Sequence, residues 1–428
     1  MRLPDALVPS ASLRRAGWAV ADQAFSSGTN FALSVLVART VDLAAFGAFS
    51  LAFAAYTTIV TITRAYPMDP LAIRYAGASP NSFQRAASAA TGTVVLVGTI
   101  SGALLLAIGL ATTGPFSQAL LALGISLPGL LLQDAWRSTF FAGGRGRLAF
   151  LNDFVWAAVE FPALSLLIIS GGASVFWAVL AWGGSATVAA LVGILQARSV
   201  PRPWLLVGWW REHVDLGPRF IAEALTRVAS GQIQLYGVGL VAGLAAVGAL
   251  RAGQLLFGPV QVVWFGVAMM AVPEGARALA VSLGRLRRLS LIISAGLTAA
   301  SAAWGLVVLL IPASLGALLL RGAWPPAHAL ILPILLGSLA NMMSIGAVAG
   351  VRSLAAAARS LRATVATATL TLILGIGGAA IGGASGAAWG LCVVAVAGIF
   401  VWWYEYVLAA REYAPHRTLS KAAGGVGV

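Results

Sequence analysis

One cysteine, one lysine and three histidines are all that this 428-residue chain holds of those residue types, and 13 residues are acidic. A single cysteine, Cys392, excludes an internal disulfide, an iron–sulfur cluster and a cysteine-based zinc site. The single lysine, Lys421, is followed by Ala422, so a phosphate-binding loop ending in Lys-Ser or Lys-Thr cannot be built. His213, His328 and His416 are scattered without zinc-protease spacing, and no Gly-x-Ser-x-Gly nucleophile elbow occurs. Charged residues of every kind make up 9% of the chain against 60% hydrophobic, which excludes an ordinary soluble domain. No catalytic residue, metal site or cofactor is expected, and the chain is read as a non-enzyme.

Long polar stretches are equally scarce. Apolar runs long enough to cross a bilayer as helices recur from end to end. Twelve stand out, at roughly 17–39, 42–63, 88–111, 115–136, 148–170, 173–196, 218–240, 245–272, 289–312, 327–351, 363–384 and 386–409. The first follows Arg14 and Arg15, has spanning length and lacks a small-residue cleavage site, so it is expected to be a retained span.

The formal net charge of +14 would point to nucleic acid in a soluble protein. Here the positive-inside rule accounts for it, and no nucleic-acid partner is expected. With a cytoplasmic N-terminus, 23 of the 27 cations fall on the cytoplasmic side and two, Arg39 and Arg321, on the other. Arg227 and Arg251 fall within spans. A miscounted helix would scramble this asymmetry, so it supports twelve spans with both termini inside.

The longest polar interval, 197–217, sets six spans before it and six after. Its Trp204, Trp209 and Trp210 are mixed with Arg198, Arg202 and Arg211. That pattern fits an amphipathic cytoplasmic linker at the headgroup layer, or a plain connector. The expected organisation is an N-terminal six-helix lobe over 1–196, the linker over 197–217, a C-terminal six-helix lobe over 218–410 and a cytoplasmic tail over 411–428. Leu43-Ala44-Ala45-Phe46-Gly47-Ala48 and Leu244-Ala245-Ala246-Val247-Gly248-Ala249 open the second and eighth spans, 201 residues apart. Asp22 and Glu223 share that offset. A six-plus-six duplication follows, with parallel halves because each has an even number of spans.

Ionisable residues inside a bilayer cost at least ~2.5 kcal/mol at a helix centre and are usually functional or paired. Glu223, Arg227, Ser230 and Gln234 form one stripe on the seventh span. Asp22, Ser26, Thr29 and Leu33 correspond to them on the first. Two such stripes imply a hydrated central cavity between the halves; alternatively, Glu223 and Arg227 neutralise each other while fastening helices. Arg251, Gln254 and Gln261 extend the polar set onto the eighth span, although Arg251 lies close enough to its outer end to snorkel. Asp153 and Glu160, seven apart, share a face of the fifth span. Glu160 is the deeper, and either a protonatable coupling group or a structural hydrogen-bond partner. Asp134 and Arg137, three apart, are expected to form an interfacial ion pair.

These features together resemble the multidrug/oligosaccharidyl-lipid/polysaccharide (MOP) exporter superfamily. Twelve spans in two halves, the Leu-x-x-x-Gly entry to the second span and the Pro70-x-x-x-Arg74 exit carry the likeness. The stretch Ala249–Pro259 followed by Pro273-Glu274-x-x-Arg277 is similar to the polysaccharide flippase branch. So is Asp134-x-x-Arg137 before Gly144-Arg145-Gly146-Arg147. The peptidoglycan-precursor flippases usually carry fourteen spans, which places this chain nearer the O-antigen type.

The resemblance implies an all-α integral membrane protein of about 12 transmembrane helices, in two six-helix lobes around a central cavity. It implies flipping of a lipid-linked oligosaccharide or polysaccharide precursor by alternating access in the cell membrane. A cation-coupled multidrug exporter is the alternative, ahead of a polytopic enzyme or a scaffold of glycan assembly. The expected partners are the lipid-linked glycan, membrane lipids, and glycosyltransferases or a glycan polymerase. Arg227 is the expected principal anion-recognition residue, because a guanidinium holds phosphate oxygens through two directed bonds. Arg251, Ser230, Gln234 and Gln254 complete the expected substrate site. Asp22, Glu160 and Glu223 are the expected ion-coupling groups, since burial disfavours a carboxylate's charged form.

Overall fold

The computed structural model describes residues 8–423. Side chains are described throughout that range except at 8–16, 227, 262, 263, 265, 268, 269 and 414–423. Every regular element among the described residues is helical. The reason is the solvent. Hydrocarbon offers no hydrogen bonds, so each spanning segment must satisfy its own backbone.

Each of the twelve apolar runs falls on helix. In chain order the first six lie on α1 (Val8–Thr40), α2 (Leu43–Thr63), α4 (Pro80–Ala111), α5 (Gly114–Ala142), α6 (Gly146–Ile169) and α7 (Val175–Ala197). Helix α2 continues through a π-helical turn, Arg64–Met68, into α3 (Asp69–Tyr75). Pro67 sits inside that turn, whose wider ring tolerates a residue with no N–H to donate.

The interval before the seventh run is built rather than loose. A 3₁₀ turn, Pro203–Leu205, leads into α8 (Leu206–His213). Arg202 N–H donates to Ser88 O at 2.9 Å, and the Ser88 and Ser199 hydroxyls lie 2.7 Å apart. Trp209 is buried against His213 while Trp204 and Trp210 face outward.

The later runs lie on α9 (Gly217–Ala242), α10 (Leu244–Leu255) with α11 (Gly258–Val281), α12 (Leu283–Leu309), α15 (Ile331–Ser353) and α16 (Ala357–Ala423). Two short helices, α13 (Ala313–Leu320) and α14 (Trp324–Ala329), connect α12 to α15. The run 245–272, expected as one span, is broken between Leu255 and Gly258. Pro259 has no N–H for the Leu255 carbonyl, and the chain turns there before α11 starts. Helix α16 carries the last two runs and is broken at Gly382 and Gly383. Gly383 has φ 58° and ψ −138°, a conformation natural to glycine alone. Across this break Gly378 and Gly386 meet backbone to backbone, so neither position has room for a Cβ.

By length and composition, eight stretches of the described residues qualify as membrane spans, one of them Ala357–Tyr413, which holds the last two runs. The runs outside these eight lie on α1, α9 and the α10–α11 pair. Helices α1 and α9 are the two that carry the polar stripes noted in the sequence.

The chain divides into two compact units, Met1–Gln232 and Ile233–Val428, the boundary falling within α9. In the first, α5 is central and packs on α2, α4, α6 and α7. Trp136 is its best-buried anchor, seated where Gly193 of α7 leaves space and donating Nε1–H to Ala190 O at 3.0 Å. In the second unit α15 takes the central place, packed on α11, α12 and α16.

Candidate functional site

A buried charge network in the first unit ties three helices together. Asp22 of α1 is fully buried. Arg137 of α5 donates its Nε–H to Asp22 Oδ2 at 2.7 Å, and its Nη2 lies 2.6 Å from the same oxygen. The same Arg137 Nε lies 3.5 Å from Asp153 Oδ2 on α6. Gln133, one turn before Arg137, donates to Asp153 Oδ1 at 2.7 Å and to Asn152 Oδ1 at 3.3 Å. Asn152 in turn donates to Ala189 O at 2.8 Å and to Gln196 Oε1 at 2.9 Å on α7. Arg137 therefore bridges two buried carboxylates rather than one.

The expected Asp134–Arg137 pair does not form. Asp134 instead accepts from Arg64, Nε to Oδ2 at 2.9 Å, in a two-pronged pair completed by Nη2 and Oδ1. Three residues apart on α5, Asp134 and Arg137 each pair instead with residues of other helices, Asp134 with Arg64 and Arg137 with Asp22 and Asp153.

Two buried carboxylate oxygens lack a hydrogen-bond partner among the described residues, Asp22 Oδ1 and Glu160 Oε1. Glu160 is 3% exposed and lines a narrow cleft with Ser26, Thr29, Asn30, Asp153 and Trp156. Residues of the α1 stripe and of the polar face of α6 thus share one cleft, a pairing that spacing on either helix alone does not fix. When Asp22, Asp153 and Arg137 are all ionised, the cluster carries one net negative charge.

On α9, Glu223 is engaged by a partner, whereas the side chain of Arg227 lies outside the described residues. Ser230 is half-buried. Gln234 is buried against Gly375 of α16, its Nε2 without a hydrogen-bond partner among the described residues. An amide in that state has a donor to offer.

The second unit encloses a cavity of about 600 Å³ between α10, α11, α15 and α16. Gln254 lines it, together with Gln261, Ser338, Asn341, Trp264 and Trp402. Arg251 stands behind Gln254, donating Nη1–H to Gln254 Oε1 at 3.3 Å. Among the described residues, no charged one lines this cavity. Ser338 and Asn341 are residues that sequence reasoning passed over. Their spacing of three on an otherwise apolar span is the signal that would have found them. Cys392 also lines the cavity, as a small apolar wall. Among the described residues no cluster of three His, Cys, Asp or Glu is placed to hold a metal ion.

This is a multi-pass membrane protein whose helices form two lobes. Its fold is that of MOP superfamily transporters. An inward-facing multidrug resistance MATE family transporter superimposes with a TM-score of 0.70 at 15% identity, covering 92% of this chain and 96% of that one. The lipid II flippase MurJ in an inward closed conformation gives 0.64 at 10% identity over 93% and 90%. A MOP superfamily transporter from Pyrococcus furiosus, described as having a binding pocket of reversed polarity, gives 0.56 at 13% over 94% and 95%. No family model matches the sequence, and no curated protein matches it.

Proposed function

We propose that the chain moves a lipid-linked oligosaccharide or polysaccharide precursor across the cell membrane by alternating access, with both termini on the cytoplasmic side. The observation that carries this reading is the cavity of the second unit. Its amides and hydroxyls match an array of sugar hydroxyls, and its indoles match the apolar faces of sugar rings. A cationic drug would call for a facing carboxylate, and among the described residues that cavity presents none. The carboxylates Asp22 and Asp153 are in the other unit and already engaged by Arg137.

Arg227 and Arg251 are the anion-recognising residues in this reading, with Ser230, Gln234 and Gln254 contributing hydrogen bonds. The energy comes from an ion gradient, with Asp22, Glu160 and Glu223 as coupling groups. One proton neutralises the surplus charge of the Asp22–Arg137–Asp153 cluster. Glycosyltransferases or a glycan polymerase supply and consume the cargo.

The test is reconstitution with a purified lipid-linked oligosaccharide, reading lectin-accessible glycan on the far leaflet. Gradient-dependent appearance is expected. Extrusion of a cationic dye with no movement of the glycan would overturn the reading in favour of a multidrug exporter. For orientation, single cysteines at Arg85, Arg145, Arg285 and Ala358, in a chain lacking Cys392, should label from the cytoplasmic side alone. External labelling at two of these positions would reverse the proposed topology.

A further inference from the structure

The first unit holds a second, larger cavity of about 1370 Å³, away from the Asp22 cluster's cleft. It opens where the π-helical turn and α3 face the junction of α5 and α6. Among the described residues three guanidinium groups line it, Arg64, Arg145 and Arg147, with one carboxylate, Asp69. From this arrangement we propose that the cavity is a binding site for the phosphate or pyrophosphate group of an amphiphile, formed by Arg64, Arg145 and Arg147.

The chain commits local structure to placing these arginines. Helix α5 ends in a tight turn in which Gly143 N–H donates to Thr139 O at 2.9 Å, Gly144 N–H to Phe141 O at 2.9 Å and Arg145 N–H to Phe140 O at 2.7 Å. Gly144 has φ 68°, which a side chain would strain, and this reversal carries Arg145 back over α5. The Arg145 guanidinium carbon lies 5.6 Å from the centre of the Phe140 ring, so the aromatic face holds it without neutralising it. Gly146 is buried, and a Cβ there would come within 3.1 Å of Trp18 Cβ and 3.2 Å of Phe141 Cε1. That close approach brings Trp18 of α1 up as one wall of the cavity.

Arg64 stands on the π-helical turn and gives its Nε and Nη2 to Asp134, leaving Nη1 outside the fork. Among the described residues, neither Arg145 nor Arg147 has an acidic partner. Three arginines grouped at one opening repel one another, an arrangement that an anion with several oxygens relieves. A carboxylate satisfies one fork only, whereas phosphate or pyrophosphate offers oxygens to more than one guanidinium. Trp18, Met68, Ala72, Ala76 and Phe141 complete the walls with apolar surface, which favours a phosphate carrying a hydrocarbon group over a bare ion. The site involves neither Arg227 nor the cavity of the second unit, and it stands whether or not the transported cargo is a glycan.

The full-length protein in maltoside detergent, which contains no phosphate, provides the test. Arginine modification by phenylglyoxal, followed by mass spectrometry, is measured with and without farnesyl pyrophosphate. Modification of Arg145 and Arg147 should slow by about tenfold or more, with exposed Arg85 unchanged as the reference. Equal protection by inorganic pyrophosphate assigns the site to the phosphate group alone. Protection that needs the prenyl chain assigns it to a lipid carrier, and protection by added phosphatidylglycerol to a bilayer headgroup. No protection by any of the three overturns the proposal. In parallel, Arg145→Gln with Arg147→Gln should weaken farnesyl pyrophosphate binding about tenfold or more, whereas the corresponding pair of lysine substitutions should retain part of it. Undiminished binding by the glutamine pair would also overturn the site. Neither readout involves glycan or transport, so a failure of flipping leaves both results interpretable.

Discussion

Arg137 donates to Asp22 across 115 residues of sequence, and the bond of 2.7 Å joins the first span to the fourth. Arg137 is the only cation within reach of both Asp22 and Asp153 among the described residues. Removing it leaves two buried carboxylates without a counter-charge, a change that costs about 3–5 kcal/mol in a buried pair. Arg137→Gln should therefore lower the thermal midpoint in detergent far more than Asp22→Asn does. Combining the two substitutions should recover much of the loss. Equal midpoints for Arg137→Gln and the native chain would remove the bridge from the account.

Glu160 behaves differently, because no partner among the described residues depends on its charge. Glu160→Gln replaces a buried carboxylate by an amide and should leave the thermal midpoint unchanged or raised. Gradient-driven transport should nevertheless fall by about tenfold or more if this group carries the coupling proton. Proteoliposome uptake under an imposed pH gradient measures it. A Glu160→Gln protein that responds to the gradient like the native chain would leave Glu160 a structural group.

The cavity of the second unit predicts a separation between fold and transport. Asn341→Leu fills part of it with apolar volume and deletes an amide, and should reduce glycan flipping without loss of expression. Arg227→Lys should weaken flipping and Arg227→Gln should weaken it further, because an ammonium lacks the planar fork. Glycan on the outer leaflet is the readout, with the amount of protein in the membrane as control. Full activity in Arg227→Gln would end its role as the anion site.

Gly383 predicts a purely conformational effect. At φ 58° and ψ −138° a Cβ is strained whatever space surrounds it, at a cost of about 1–3 kcal/mol. Gly383→Ala should therefore lower the thermal midpoint, whereas Gly382→Ala, at φ −130°, should be mild. If both behave alike, the break in α16 is not held by Gly383.

Much of the architecture could be read from residue order. The twelve apolar runs were visible because a spanning helix answers to its own composition. That Asp153 and Glu160 share a face of α6 followed from their spacing, but that this face meets the α1 stripe in one cleft did not, because spacing along a helix says nothing about its neighbours. The break before Gly258 was missed although Pro259 announced it, because the apolar run continues through it and hydropathy alone cannot see a missing N–H. The pairing of Asp134 with Arg137 was misjudged for the opposite reason. Spacing of three placed them together, but each had a partner 70 or 115 residues away that no local rule ranks.

The sequence by itself determined that this is a polytopic helical membrane protein, how many times it crosses, and which loops carry the positive charge. Those properties are local, since hydrocarbon obliges every segment to satisfy its own backbone and each loop to bear its own cost of crossing. The tertiary structure alone decided that Arg137 serves two carboxylates, that Arg64 takes Asp134, and that the arginines around Gly146 face a cavity with Arg64. Those choices depend on which helices pack together, and a buried charge selects its partner by geometry across the bundle rather than by distance along the chain.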